Sequence, residues 1–406
     1  MSYFLQLVLD LAIILIAAKT AGYVSNRLGQ PSVLGEIIVG IILGPSLIDV
    51  LHFPFFTDQH LPEIIMELGE LGVMLLMFIA GLELHLSELA QNTKASALTG
   101  TLGVVLPVGL GWTTGIILGM DSTQAAFLGL TLGATSVSIS AQTLMELNVL
   151  KSKVGLGLLG AAVFDDILVI LLLSAFLALI GGGGTIVQIL IILIRMIVYL
   201  SLASAVGIWI LPWLVDRLSK LPISQITVTF AIITMLIFGL TAEIIGEMAA
   251  ITGSFLAGLM FARTPYKRRI EEGFNYLSYG LFVPIFFVSI GMGINLKEIN
   301  PQVIWASLLF IAVAIFGKLI GAGLGARLGN FTWKESIQIG IGMISRGEVG
   351  LIVAKVGSNA NIISTSQFSI IIAVVVVSTL ITPPLLRLAF KSRKVHQTEP
   401  EKSHSL

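Results

Sequence analysis

Asp165 and Asp166 stand side by side in the run Gly160-Ala-Ala-Val-Phe-Asp-Asp-Ile-Leu-Val-Ile, with nothing polar for several residues on either side. In hydrocarbon an ionised side chain is costly unless it is paired or hydrated. Adjacent residues on a helix point about 100° apart, so the two carboxylates face different neighbours. One can pair with a cation on a facing helix while the other faces a water-filled cavity. Desolvation and mutual repulsion favour the neutral acid, and a nearby ammonium favours the carboxylate. A carboxylate poised between these forms binds a proton or a small hard cation, but not both well at once. That competition is the chemistry of an exchanger.

Other polar residues are stranded in apolar sequence. Lys318, in Ile315-Phe-Gly-Lys-Leu-Ile-Gly, is the natural counter-charge for one aspartate, and it can itself give or take a proton when its partner is neutralised. Hydroxyls and glycines interrupt two further apolar runs, at Thr135-Ser-Val-Ser138 and at Ile344-Ser-Arg-Gly-Glu-Val-Gly350. Such interruptions predict unwound helices, which are tolerated where they line a cavity and which present carbonyls and helix ends to ions. Arg346 and Glu348 then complement the dipole ends of the facing half-helices, and for Glu348 ion coupling stands beside local pairing. Lys19 and Lys355 lie near helix ends, where long side chains snorkel to water, and Arg195 lies in a linking segment. Glu36, Glu70 and Glu83 fall on apolar runs and receive no role, while Pro284 predicts a bend.

The elements that carry these residues follow from composition. The chain has 406 residues, 56% hydrophobic and 11% charged, with mean hydropathy +0.99. Soluble domains carry about 25% charged residues, so lipid is the expected solvent. The absence of cysteine excludes disulfides and thiol chemistry, and the five histidines show no metal-ligand spacing, so no cofactor is expected. With zero net charge and no large basic block, nucleic acid is not an expected partner. Apolar runs predict about thirteen membrane helices, the first at about 4–24 being read as a span and not as a targeting peptide. With the N-terminus outside, the cytoplasmic loops and tail collect nearly all loop Lys and Arg, including Arg263, Lys267, Arg268 and Arg269, and the opposite loops keep Lys297. The tail, 391–406, reads as disordered.

The chain also repeats itself at an offset of roughly 210 residues: Phe78-Ile-Ala-Gly-Leu-Glu-Leu-His-Leu-Ser-Glu-Leu89 aligns with Val288-Ser-Ile-Gly-Met-Gly-Ile-Asn-Leu-Lys-Glu-Ile299. Six spans, a linking span and six more make this an inverted repeat, which places a transport site at the repeat interface. The two interrupted spans hold equivalent positions, so they are expected to cross.

Taken in order, Ala134-Thr-Ser-Val, Phe164-Asp-Asp, Pro284-Ile-Phe-Phe-Val-Ser-Ile-Gly-Met, Gly317-Lys and Ser345-Arg-Gly-Glu-Val-Gly resemble the monovalent cation:proton antiporters. The likeness is to the NapA- and GerN-type sodium/proton exchangers and to the membrane part of the Kef potassium/proton systems, over about residues 1–390. It implies an all-α polytopic membrane protein of thirteen helices with two crossed discontinuous helices, working as a homodimer in the cell's inner membrane. It divides the chain into 1–94 and 223–300 as the halves of a dimerisation part, 95–180 and 301–390 as the halves of a core transport part, 181–222 as linking helix 7, and 391–406 as a cytoplasmic tail. The core is expected to slide as an elevator, with no enzymatic step. Asp166 matches the ion-binding aspartate, Asp165 the acid before it, Lys318 the paired lysine, and Thr135 and Ser136 the broken-helix positions. Asp166 and Asp165 are thus the expected cation ligands. An acidic pair with a lysine resembles electrogenic exchange of Na⁺ or Li⁺ for protons. The Kef-type alternative, potassium/proton exchange, usually has Gln-Asp at this place together with a soluble nucleotide-binding domain, and the sequence has neither. A channel would call for a TVGYG-like filter, and an aspartyl protease for aspartates on separate helices.

Overall fold

A chain this apolar has to satisfy its backbone hydrogen bonds within its own segments, and helices do so. The computed structural model describes residues 2–54, 56–84, 92–180, 186–360 and 362–390, and among them there is no strand. Ten helices among the described residues are long and apolar enough to cross a membrane. The other three expected spans fall on shorter pieces: Ser32–Leu43, Ala250–Phe261, and a broken pair made of Trp333–Gly342 and Glu348–Asn359. The expected tail 391–406, part of the repeat alignment (85–91) and the start of the linking segment (181–185) lie outside the described residues.

In chain order the helices are α1 (Tyr3–Arg27), α2 (Ser32–Leu43), α3 (Leu61–Glu83), α4 (Thr93–Ile117), α5 (Ser122–Gly133), α6 (Val137–Glu146), α7 (Lys153–Ile180) and α8 (Ile186–Ala205). They continue as α9 (Leu211–Leu218), α10 (Ile226–Ile244), α11 (Ala250–Phe261), α12 (Lys267–Leu277), α13 (Val283–Met292), α14 (Ile304–Leu328), α15 (Trp333–Gly342), α16 (Glu348–Asn359) and α17 (Thr365–Phe390). The basic stretch from Lys267, read in the sequence as a loop, is helical: α12 runs through a π-helical turn, Ser278–Phe282, into α13. The wider turn lies immediately before Pro284, which lacks an N–H to donate to the preceding turn.

Packing sorts the helices into two groups. In one, α4 lies against α5, α7 and α14, with α15 and α17 beside α14. In the other, α3 lies against α11 and α13, with α2 against α1 and α13, and α10 against α11. Small residues set these distances, as they do wherever helices meet without a hydrophobic drive. A Cβ at Gly321 would collide with the Leu102 carbonyl oxygen, and one at Gly325 with that of Leu98. A Cβ at Gly100 would lie 2.6 Å from the Ala161 carbonyl oxygen and 3.2 Å from the Asp165 amide nitrogen. Helix α4 is therefore the spacer between α7 and α14. In the second group Gly81 and Gly258 lock α3 to α11 in the same way, against the Phe255 and Phe78 carbonyls.

The groups meet where α2 and α3 approach α6 and where α2 approaches α17. Glu146, at the end of α6, accepts from the Ser32 backbone N–H (2.7 Å), the Ser32 hydroxyl (2.5 Å) and Gln142 Nε2 (2.9 Å). A carboxylate is unfavourable at a helix C-terminus and favourable at an N-terminus, and here it serves the first turn of α2.

Gly321→Ala is expected to lower the thermal unfolding midpoint of the detergent-solubilised protein, at a cost of about 1–3 kcal/mol. Gly109→Ala on α4, where a Cβ meets nothing within 4 Å, is expected to leave the midpoint unchanged or to raise it, since alanine is the better helix former by about 1 kcal/mol.

Candidate ion-binding site

Helices α5 and α6 are two halves of one interrupted segment, as are α15 and α16. Residues Ala134–Ser136 and Met343–Gly347 leave helical geometry, and the two breaks touch. The Ser136 N–H donates to the Ser345 carbonyl at 2.8 Å, and the Ser345 hydroxyl donates back to the Ser136 carbonyl at 2.6 Å. Ser140 closes a third tie by donating to the Gly342 carbonyl at 2.5 Å. A Cβ at Gly347 would lie 2.7 Å from Ser136 Oγ, so the crossing is close enough to need glycine there. Ser136 Oγ also lies 3.0 Å from Ser138 Oγ.

Arg346 fills the crossing and is fully buried. Its guanidinium donates to the Leu132 carbonyl (2.6 Å) in the last turn of α5, to its neighbour Ile344 (2.9 Å) and to Ala314 of α14 (3.3 Å). The last carbonyls of a helix have no partner within it and carry its negative end, and a planar guanidinium can serve several acceptors at once. The Thr379 hydroxyl of α17 donates to the Arg346 carbonyl. Glu348 opens α16, and its side chain lies outside those described.

Beside the crossing, Lys318 Nζ of α14 donates to Asp165 Oδ1 of α7 at 2.7 Å, and both side chains are 0% exposed. Asp165 Oδ2 and the Thr135 hydroxyl are both buried, and Thr135 is a polar neighbour of the Asp165 carboxylate. Asp166 is half-buried. Its Oδ2 lies 3.4 Å from Thr252 Oγ1 on α11, in the other helix group. The neighbouring acids thus have unlike surroundings: one is in a dry ion pair, the other at the junction of the two groups. Asp165, Asp166, Lys318, Thr135, Ser136 and Arg346 are brought together, whereas Lys19 and Arg195 are held elsewhere. Lys19 donates to the Tyr279 carbonyl at 2.6 Å, and Arg195 pairs with Glu247 and donates to the Ile244 and Ile245 carbonyls at the end of α10.

Residues 13–391 match the family described as "Sodium/hydrogen exchanger, transmembrane". The chain belongs to the sodium/hydrogen exchanger family. It is 42% identical over 381 residues to the "Probable Na(+)/H(+) antiporter GerT" of Bacillus cereus, covering 94% of this chain and 98% of that protein. It is 40% identical over 384 residues to the "Na(+)/H(+)-K(+) antiporter GerN" of the same organism, covering 95% and 96%. Its fold is similar to that of the sodium proton antiporter MjNhaP1 of Methanocaldococcus jannaschii, with a TM-score of 0.70 at 18% identity, covering 98% of this chain and all of that one. The exchanger is thus a multi-pass membrane protein related to antiporters and not to enzymes.

Two residues of this exchanger drew no notice in the sequence. Thr252 carries no local signal, because a threonine in an apolar helix reads as packing. Asp10 is an acid within the first apolar run, which is itself a signal. It is fully buried in α1 with both carboxylate oxygens unmatched.

Removing one partner of a buried ion pair costs about 3–5 kcal/mol because it strands the other charge. Asp165→Asn is therefore expected to lower the thermal midpoint sharply. The double variant Asp165→Asn/Lys318→Gln, a neutral amide pair, is expected to recover most of it. Equal losses in the single and double variants would contradict the pairing energetics.

Proposed function

We propose that this exchanger trades a monovalent cation, Na⁺ or Li⁺ in preference, for protons by alternating access. The observation that carries the reading is the junction of unlike acids: Asp166 open toward the boundary between helix groups, next to a dry Asp165–Lys318 pair at a crossing of two broken helices. Asp166, with Asp165, binds either the cation or protons, and Thr135 and Ser136 offer neutral oxygens nearby. Arg346 offsets the negative helix ends, so the acids remain the local anionic centre. Among the described residues no three His, Cys, Asp or Glu cluster as a metal site. Two carboxylates with neutral oxygens suit a single hard cation that must leave again.

In this reading the loaded, charge-compensated core moves and the empty one does not, because carrying a bare carboxylate across an apolar barrier is too costly. The moving core is the α4–α7 and α14–α17 group, 95–180 and 301–390, sliding as an elevator against 1–94 and 223–300, with 181–222 as the link. The three shorter pieces complete thirteen crossings in two inverted halves, N-terminus outside and C-terminus cytoplasmic in the inner membrane. The scaffold group pairs two copies into a homodimer embedded in lipid. Lys318 releases a proton when Asp165 is neutralised, which makes the exchange electrogenic, two protons against one cation.

Proteoliposome exchange tests this. Asp166→Asn is expected to abolish Na⁺-driven proton flux, and retention of full flux overturns the site. Since protons and cation compete at the site, the apparent KM for Na⁺ rises as pH falls, approaching about tenfold per unit for each proton that has to be displaced. A KM independent of pH contradicts competition. Clamping the membrane potential changes the rate if the cycle moves charge, and a rate indifferent to potential rules out the electrogenic scheme. The name of the GerN relative includes K⁺, which supports potassium/proton exchange as a second reading. That reading holds if K⁺ dissipates an imposed pH gradient as well as Na⁺ does.

A further inference from the structure

The Thr252 hydroxyl belongs to the group opposite the acids, yet it points at one of them. It is buried, and its Oγ1 donates to Asp166 Oδ2 across the junction at 3.4 Å. Thr252 lies in the first turn of α11, whose preceding residue, Ala249, supplies no side-chain cap. The positive end of the helix therefore adds to the hydroxyl's pull on an anion. Nor is α11 free to follow the acid. Gly258 and Gly81 interlock it with α3, and a Cβ at Gly253 would collide with the Phe238 carbonyl of α10. Among the described residues, charged groups acting on the acids include Lys318 from α14, which acts on both Asp165 and Asp166, and Arg346 from the crossing, which acts on Asp165.

We propose that Thr252 is a positioning residue that berths the ionised, cation-free Asp166 against the scaffold group and so disfavours movement of the empty core. The inference deepens the exchange reading and rests on Asp166 being the cation and proton site. A hydroxyl that donates to the carboxylate stabilises its bare, ionised form. Cation and proton both have to displace that bond, so the berth weakens both in equal measure. This differs from a hydroxyl that serves as a cation ligand, which would strengthen cation binding.

The test is Thr252→Val, nearly isosteric and without the hydroxyl, compared with Thr252→Ser, which keeps it. Both are reconstituted in proteoliposomes and assayed for Na⁺-driven proton flux across pH. One hydrogen bond to a charged group, stretched as this one is, predicts a limiting alkaline KM for Na⁺ about fivefold lower in the valine variant. Its acid limb should shift alkaline by a similar factor, about 0.7 pH unit, because the proton gains equally. Thr252→Ser should behave as the parent protein. A higher KM in Thr252→Val would make the hydroxyl a cation ligand, and an unchanged KM and pH profile would make it packing, so either result overturns the berth. If Thr252→Val does not fold, Thr252→Ala removes the same hydroxyl: a lowered KM with an alkaline-shifted acid limb supports the berth, and a raised or unchanged KM overturns it. The Asp166→Asn control separates the two levels: loss of flux there with no effect of Thr252→Val rejects the berth alone, whereas full flux in Asp166→Asn rejects the exchange site beneath it.

Discussion

Hydrocarbon does not tolerate an uncompensated charge, and the architecture around α7 follows from that constraint. Lys318 and Asp165 are wholly withdrawn from solvent, so each is the condition for the other's presence. The pair has to be close, and closeness is a matter of backbone spacing. Glycine faces on α4 and α14 let the helices approach until Gly321 rests on Leu102 and Gly100 on Ala161. The glycines of α4 and α14 are therefore part of the electrostatics of the acids, although none of them carries a charge.

The same constraint governs the broken helices. Each break exposes carbonyls and amides that water would satisfy at a protein surface. Here the breaks bond to one another, through Ser136 with Ser345 and Ser140 with Gly342, and Arg346 takes the Leu132 carbonyl at the end of α5. Asp166, by contrast, lies where two helix groups meet, half-buried, with its contact to Thr252 at the long end of hydrogen bonding. Asp165 thus pairs with Lys318 inside its own helix group, while Asp166 reaches Thr252 in the other.

Family membership draws these features together without being their cause. The relatives are antiporters, and the chain matches them along nearly its whole length. In this chain the two neighbouring acids meet different partners, Lys318 for Asp165 and Thr252 for Asp166.

The sequence by itself determined that lipid is the solvent, because only 11% of its residues are charged, and that helix is the backbone solution, because its apolar runs are long enough to span as helices. It also determined which residues are too costly to be incidental: Asp165, Asp166, Lys318 and Arg346 stand out against apolar neighbours, and the hydroxyl-rich runs at Thr135 and Ser345 mark where a helix loses its regularity. The Lys267 stretch misled because charge suggests a loop, while a helix that buries Ile270 and Phe274 on one face carries the same residues. What a helix faces belongs to tertiary structure alone. Adjacent acids differ by about 100° of helix rotation, and only packing decides which of them meets Lys318. The pairing of Ser32 with Glu146 and of Thr252 with Asp166 joins residues 114 and 86 positions apart. No local pattern announces such contacts, since they exist only once glycine spacing has set where each helix lies.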